Sequence, residues 1–146
     1  MGTEDQGWVA HVALLALRGR PVTIYGDGMQ VRDLLYVEDL VDAFLLAWSN
    51  APALSGRAFN IGGGPANTVS LLELMRLLTR LEGRATAIEY APWRRGDQRY
   101  YVSDTAAFRG ATGWTPRTDV TTGATLLRSA LAERLGLAAT VPEGAS

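Results

Sequence analysis

The sequence contains no lysine and no cysteine, and its single histidine is His11. Without cysteine the chain can form no disulfide, no thiolate nucleophile and no cysteine-ligated metal centre. One histidine is too few for a site that binds a metal through several imidazoles, so we expect no metal site. Without lysine, mechanisms that need an ammonium group or a Schiff base are excluded as well. All basic side chains apart from His11 are therefore arginines.

The chain also lacks an excess of charge of either sign. Its 14 basic and 15 acidic residues give a formal net charge of −1, whereas a nucleic-acid-binding domain normally carries a clear basic excess. Apolar runs such as Val12 to Leu17 are far too short to span a membrane. Glu4 and Asp5 argue against a signal peptide at the N-terminus. We therefore expect a cytoplasmic protein that binds neither nucleic acid nor membrane.

The length and the pattern of apolar residues predict a small α/β chain with few strands. We expect one domain over residues 1–137 and a flexible tail over residues 138–146. Helices are predicted over residues 8–17, from 38 or 39 to about 48, and over 70–81, 104–109 and 121–135. Strands are predicted over residues 21–25, 57–61 and 87–91.

Several short motifs refine this prediction. The Asp27-Gly28 pair favours a hairpin that returns through residues 29–35. Ser70 and Glu73 have the Ser-x-x-Glu spacing of a helix capping box. The glycine run 62–64 follows a predicted strand, but it lacks G-x-G-x-x-G spacing and is followed by Pro65. We interpret that run as a loop turn rather than a dinucleotide site.

Two arginine-containing loops indicate phosphate recognition. Arg32 follows a turn rich in glycine, and Arg94 and Arg95 precede Gly96 and Asp97 further along the chain. A guanidinium group can donate two parallel hydrogen bonds to a phosphate, which makes arginine well suited to this role.

Four segments, in order, carry a resemblance to a known family. They are GDGMQVRDLLYVEDLVDAF, FNIGGGPANTVSLLEL, APWRRGD and SDTAAFRGATGWTP. Together they resemble the C-terminal half of extended short-chain dehydrogenase/reductases (SDRs) that act on nucleotide sugars, over roughly residues 2–135. That family of NAD-dependent epimerases and dehydratases includes CDP-paratose 2-epimerase, to which the segments are most similar. The resemblance implies a partial extended-SDR fold. It comprises the C-terminal substrate domain with the last strand and helix of the Rossmann sheet, but not the N-terminal Rossmann core.

The resemblance also implies a binding site for a nucleoside-diphosphate sugar. Arg32 resembles the arginine that binds the diphosphate. Arg94 and Asp97 resemble a later pair in which the arginine holds phosphate and the acid holds a ribose hydroxyl. The remaining implied site residues lie on or beside the strand that meets the base in similar enzymes: Thr23, Tyr25 and Gln30.

Two parts of the family's machinery have no counterpart in this sequence. The glycine-rich turn of the NAD site is missing, so we expect this chain alone to bind no cofactor, although the family uses NAD. The catalytic Tyr-x-x-x-Lys pair cannot exist without lysine. We therefore expect that the chain alone does not perform hydride-shuttling epimerisation.

Structural interpretations compete with these assignments. Arg32 could pair with Asp33 or Asp39 in a salt bridge. Arg95 is better interpreted as a solvated loop residue. Asp97 could serve only to cap a turn. For Arg32, the motif favours phosphate binding over the structural role.

Three functions fit the sequence. The first is a nucleotide-sugar-binding domain of the family, as half of a split enzyme or as an inactive remnant. The second is a cofactor-independent cyclase or isomerase of a biosynthetic pathway, in which an apolar pocket orients a lipophilic substrate. The third is a non-enzymatic module that pairs with a full-length relative.

Association is a further expectation. The predicted strand at residues 57–61 would expose unpaired backbone groups at its edges if the rest of a Rossmann sheet were absent. We therefore expect a homo-oligomer, or a complex with a chain that supplies the Rossmann half.

Overall fold

The structure, a computed structural model, describes residues 7–137. Its helices are, in chain order, α1 (Trp8–Leu17), α2 (Val37–Ser49), α3 (Ala51–Leu54), α4 (Leu71–Glu82), α5 (Ala106–Thr112) and α6 (Val120–Arg134). Its strands are β1 (Val22–Tyr25), β2 (Val31–Asp33), β3 (Thr68–Ser70), β4 (Ile88–Ala91) and β5 (Tyr100–Tyr101), and a 3-10 turn covers Pro65–Asn67. None of these helices combines the length and the apolar character needed to cross a bilayer. The predicted tail over residues 138–146 lies outside the described residues.

The described part of the chain divides into two compact units. The first contains residues 7–29, Ser70–Asp97 and 124–137, and the second contains Gln30–Val69 and Gln98–Gly123. Each unit has its own small sheet and its own apolar cluster. The α/β class predicted from the sequence is confirmed.

The first unit is built around a parallel pair of strands. In β1, Val22 and Ile24 are buried while Thr23 is exposed, as expected for a strand with one covered face. Val22 lies opposite Ile88 of β4 in the register of the pair. The covered face packs with Met75 of α4 and with apolar residues of α1, which forms the core of this unit.

The predicted hairpin after β1 is wrong. The Asp27 carboxylate accepts a hydrogen bond from the Met29 amide at 2.9 Å, so a tight local turn does form. The strand that follows, β2, pairs with β3 and β5 in another sheet instead of returning along β1. A two-residue turn signal fixes only the turn, whereas the apolar face of β1 selects a partner far along the chain.

The second unit combines the three-stranded sheet, in the order β3-β2-β5, with an aromatic cluster. Strands β2 and β5 run parallel, with Arg32 opposite Tyr101. Phe108 is 1% exposed and makes edge-to-face contacts with Phe59 and Trp114, at ring-centroid distances of 5.5 and 5.7 Å. Residues of α2 and α3 complete this cluster.

The predicted strand over residues 57–61 is also wrong, because this segment forms no regular ladder. Among the described residues no strand pairs with it, and a strand requires a hydrogen-bonded partner. Instead Phe59 and Ile61 pack against the aromatic cluster, and the Arg57 guanidinium lies 4.8 Å from the centre of the Phe59 ring. The segment is therefore held by its side chains.

The capping box at the start of α4 is confirmed. The Ser70 amide donates to the Glu73 carboxylate at 2.8 Å, and the Glu73 amide donates to the Ser70 hydroxyl oxygen at 3.3 Å. These hydrogen bonds, first the one from the Ser70 amide and then the one from its hydroxyl, lower the pKa of Glu73 below its usual value. At α6 the Asp119 carboxylate accepts from the Thr122 amide at 2.7 Å, which lowers the pKa of Asp119 in the same way.

Candidate functional site

The first unit places four of the predicted site residues on one strand and one loop. Thr23 and Tyr25 share a face of β1, because side chains alternate along a strand. The Arg94 guanidinium carbon lies 3.8 Å from the centre of the Tyr25 ring, which is the geometry of a cation–π contact. The Asp97 amide donates to the Arg94 carbonyl at 3.2 Å, so Arg94 and Asp97 belong to one tight turn.

Glycine at position 26 makes this arrangement possible. Its φ of 88° lies in the left-handed region, and its amide donates to the Ala91 carbonyl at 2.9 Å. A Cβ atom here would lie 2.4 Å from the Trp93 ring. Trp93 therefore packs directly on the turn after β1 and fixes the start of the loop that carries Arg94. This role of Trp93 was not predicted from the sequence, because Gly26 and Trp93 are far apart in the chain.

The turn of the first unit presents charge to solvent. Arg94, Arg95 and Asp97 are all exposed. The ring of Tyr25 supports one face of the Arg94 guanidinium, which restricts its motion relative to an unsupported surface arginine. The arrangement is suited to binding a phosphate oxygen, with a carboxylate acceptor for a hydroxyl group in the same turn.

The second unit contains the other two predicted residues. Gln30 is buried, with 3% of its surface exposed. Arg32 lies on β2, and its guanidinium donates to the Val31 carbonyl at 2.8 Å and to the Gln98 carbonyl. These bonds hold the side chain in a fixed orientation at the edge of β5.

The two carboxylates proposed as structural partners of Arg32 bind backbone amides of other segments. Asp33 accepts from the Gly64 amide at 2.9 Å. Asp39 is 4% exposed and accepts from the amides of Arg117 and Thr118 at 3.1 and 3.0 Å. Asp39 thus joins the start of α2 to a distant loop. This role was not predicted from the sequence, because an acid in the first turn of a helix is already explained by the helix dipole.

The glycine run at residues 62–64 is a loop turn, as predicted. A Cβ atom on Gly62 would lie 2.6 Å from the Asp33 carboxylate, and one on Gly63 would lie 2.0 Å from the Leu34 carbonyl oxygen. Both glycines are therefore required for close packing against β2 and the residue that follows it. This close packing explains why glycine occupies both positions.

An open groove of about 470 Å³ lies beside α2 in the second unit. Its floor is apolar, and an Arg117–Asp42 ion pair lies at its rim. The groove is lined by Asp42, Leu45, Leu46, Ser49, Gly113, Trp114, Thr115 and Arg117.

Comparisons with known proteins agree with the fold and with the order of the motifs. Residues 1–62 match the NAD dependent epimerase/dehydratase family. CDP-paratose 2-epimerase of Salmonella typhi is 37% identical over 126 residues, which are 83% of this chain and 37% of that protein. The structure of UDP-glucose 4-epimerase from Thermotoga maritima with UDP-glucose is 33% identical, with a TM-score of 0.78. This match covers 89% of the present chain and 40% of the epimerase.

A more distant structure agrees in fold alone. UDP-glucuronic acid 4-epimerase from Bacillus cereus, in complex with UDP-glucuronic acid and NAD, is 21% identical, with a TM-score of 0.80. The match covers 86% of the present chain and 40% of that enzyme. The chain thus spans well under half the length of the relatives it matches.

These matches define an α/β chain that corresponds to part of the extended SDR epimerase fold. The chain belongs to the NAD-dependent epimerase/dehydratase family. The family and the fold class inferred from the four sequence motifs are confirmed.

Proposed function

We propose that this chain is a nucleotide-sugar-binding domain of the NAD-dependent epimerase/dehydratase type. The observation that supports it most is the turn of the first unit, where Arg94 is held over the Tyr25 ring and shares a turn with Asp97. An ordered guanidinium and an adjacent carboxylate match the two chemical parts of a nucleoside diphosphate, the phosphate and the ribose hydroxyls.

The assignments of the other residues follow from the motif resemblance. Arg32 binds the diphosphate in this proposal, and Thr23 and Tyr25 contact the base, with Gln30 as their neighbour in sequence. The solved relative from Thermotoga maritima holds UDP-glucose, which supports a nucleotide sugar as the ligand class.

We further propose that the 146-residue chain alone binds no NAD and does not catalyse hydride-shuttling epimerisation. Its sequence has no lysine for a Tyr-x-x-x-Lys pair and no G-x-G-x-x-G turn. Binding without chemistry is then the activity of the chain by itself. We also propose that this chain associates, either with further copies of itself or with a chain that supplies the Rossmann half.

The test is a titration of the purified chain with CDP, UDP and dTDP, followed by calorimetry and by thermal shift. We expect saturable binding of at least one diphosphate. Loss of a charge-assisted hydrogen bond costs about 1.5–3 kcal/mol, so Arg94→Ala should weaken binding by roughly 10- to 100-fold. Arg95→Ala is the matched control, since it removes an exposed arginine from the same turn and should change affinity less than about twofold.

Arg32→Ala separately tests the proposal that Arg32 binds the diphosphate. We expect a similar loss of affinity, and the melting temperature without ligand shows whether the variant remains folded. No saturable binding at millimolar ligand, or equal effects of Arg94→Ala and Arg95→Ala, would contradict the proposal.

A cofactor-independent catalyst stays a second prediction. The observation in its favour is the apolar groove beside α2, which has Asp42 and Arg117 as its charged groups. Since these two are paired with each other, the groove offers an apolar surface that could orient a substrate rather than a free general base. A screen of lipophilic substrates with the wild type and with Leu45→Ser, which makes the apolar lining of the groove polar, would test it. No turnover by the wild type, or turnover unaffected by that change, would remove it.

A further inference from the structure

The aromatic ring of Tyr25 contacts the side chain that the proposed function assigns to phosphate. Tyr25 is the last residue of β1 and is partly buried. The Arg94 Cζ atom lies 3.8 Å from the centre of its ring. Carbon atoms in optimal van der Waals contact are about 3.5–4.0 Å apart, so the guanidinium lies against a face of the ring. The family resemblance assigns Tyr25 to the base and gives this contact no role.

The backbone brings these two side chains together. Tyr25 lies opposite Ala91 in the register of β1 and β4, and the Gly26 amide donates to the Ala91 carbonyl at 2.9 Å. Further along the loop, Trp93 packs against Gly26, where a Cβ atom would lie 2.4 Å from its ring. The loop is thus tied to the end of β1 at two points. Arg94 follows directly, and these contacts place it beside Tyr25.

An exposed arginine normally loses conformational freedom when it binds an anion. Its side chain has many rotamers, and fixing them opposes association. Arg94 is exposed, but the Tyr25 ring already restricts its guanidinium, so less freedom is lost when a ligand binds. The ring contacts a face of the guanidinium, whereas the hydrogen bonds that this group donates lie in its plane. Support from the ring and hydrogen bonding to an anion therefore use different directions of the group.

We propose that Tyr25 is a positioning residue, which holds Arg94 in the orientation that binds a phosphate group. The inference rests on the proposed function, because it takes Arg94 as the phosphate-binding residue. It adds a role for Tyr25 that needs neither base nor ribose. Inorganic pyrophosphate is therefore the ligand that reveals this role, since a contact between Tyr25 and a base contributes nothing to the binding of that anion.

The first test is a calorimetric titration of the full chain with inorganic pyrophosphate at low ionic strength, where charge interactions are least screened. We expect saturable binding by the wild type. Tyr25→Leu removes the ring and should weaken this binding by roughly three- to tenfold, as expected for a partly exposed cation–π contact. Tyr25→Phe keeps the ring face and should restore most of the affinity that Tyr25→Leu loses.

Tyr90→Leu is the matched control. Tyr90 is 62% exposed on β4, in the same two-stranded sheet as Tyr25, and it lies opposite Ile24. The variant removes a tyrosine ring from the sheet but keeps the ring that Arg94 contacts. Its affinity for pyrophosphate should therefore stay within about twofold of the wild type. Melting temperatures without ligand show that each variant is folded.

A double-mutant cycle separates positioning from a general loss of structure. If Tyr25 acts through Arg94, Tyr25→Leu should change the affinity for pyrophosphate by less than about twofold once Arg94→Ala is present. A purely structural role of Tyr25 would instead weaken binding by the same factor in both backgrounds.

Nuclear magnetic resonance tests the contact itself, without ligand. A tyrosine ring in contact with the guanidinium shifts the side-chain protons of Arg94 upfield. Tyr25→Leu should abolish that shift and increase the motion of the Arg94 side chain on the picosecond-to-nanosecond timescale. Tyr25→Phe should retain both the shift and the restricted motion.

The inference fails if the wild type does not bind pyrophosphate, or if Tyr25→Leu and Tyr90→Leu have equal effects on its affinity. It fails too if the effect of Tyr25→Leu persists in full when Arg94→Ala is present. The titration with CDP is a separate result. Binding of CDP that depends on Arg94 but not on Tyr25 would contradict this inference alone, whereas the absence of any diphosphate binding would contradict the proposed function.

Discussion

The ion pair between Arg128 and Glu82 leads to a quantitative prediction about stability. Arg128 Nε lies 3.0 Å from Glu82 Oε1, and both side chains are nearly buried, at 9% and 5% exposed. At that distance the attraction is about 5 kcal/mol for an effective dielectric constant of 20. The pair joins α6 to the end of α4 within the first unit. There the Glu82 carboxylate also lies at the negative end of the α4 dipole.

Removing one member of the pair should lower the free energy of unfolding much more than removing both. Arg128→Met leaves a buried carboxylate without its partner, and we expect a loss of about 3–5 kcal/mol in the free energy of unfolding. The double variant Arg128→Met, Glu82→Leu replaces the pair by apolar groups of similar volume and should lie within about 1 kcal/mol of the wild type or be more stable. The expected coupling energy is therefore several kcal/mol.

A double-mutant cycle in urea at pH 7 measures this coupling. The four proteins are the wild type, Arg128→Met, Glu82→Leu and the double variant. Single-variant losses below about 1 kcal/mol, with no coupling, would show that the pair behaves like an exposed one and would refute the reasoning from burial.

Three further predictions concern single sites. The pKa of Glu73 in the folded state is lowered from its ordinary value of 4.5. The ionised side chain therefore stabilises the fold above pH 4.5, and this stabilisation is lost as the pH falls through the folded-state pKa. Glu73→Gln should therefore cost about 0.5–1 kcal/mol at pH 7 and converge with the wild type in acid-unfolding curves. Gly63→Ala should cost about 2 kcal/mol or more in urea unfolding, because its Cβ would collide with the Leu34 carbonyl oxygen. By contrast Gly110→Ala, in α5 with open space around it, should be neutral or stabilise by about 0.5–1 kcal/mol. Phe108→Ala should cost about 3–5 kcal/mol by the same assay, since that ring is 1% exposed at the centre of the aromatic cluster, and a loss below about 1 kcal/mol would contradict this packing.

Local signals predicted the helices well. The Ser70–Glu73 capping box fixed the start of α4, and the acidic pair Glu38 and Asp39 placed the start of α2 within one or two residues. These features depend on residues close together in sequence, so the sequence carries them directly. The family could also be inferred, because the four motifs keep their order.

Pairing between strands was predicted poorly. β3 and β5 have three and two residues, too short for any periodicity, and they exist because β2 lies between them. The segment at residues 57–61 has the composition of a strand but no ladder partner among the described residues. Strand formation depends on a partner remote in sequence, which local composition does not reveal.

At the candidate site, too, features set by neighbouring residues were predicted better than features set by remote ones. The motif indicated Arg94 and Asp97, and the structure places them in one turn. The support that Tyr25 and Trp93 give to this turn depends on the parallel pairing of β1 with β4, which was not predicted from the sequence. A turn between residues close together in sequence was therefore easier to predict than the packing that supports it.

The division of the first unit into separate stretches of chain also determines how the protein can fold as it is synthesised. Val22 of β1 pairs with Ile88 of β4, and the whole stretch Gln30–Val69 is translated between them. Contacts so distant in sequence form slowly, because a long loop must close first. While the ribosome translates that stretch, β1 carries an apolar face and unpaired edges, which are the features that chaperones bind and that promote aggregation. We therefore expect the yield of soluble protein to depend on the rate of translation and on chaperone supply more than on the stability of the finished fold.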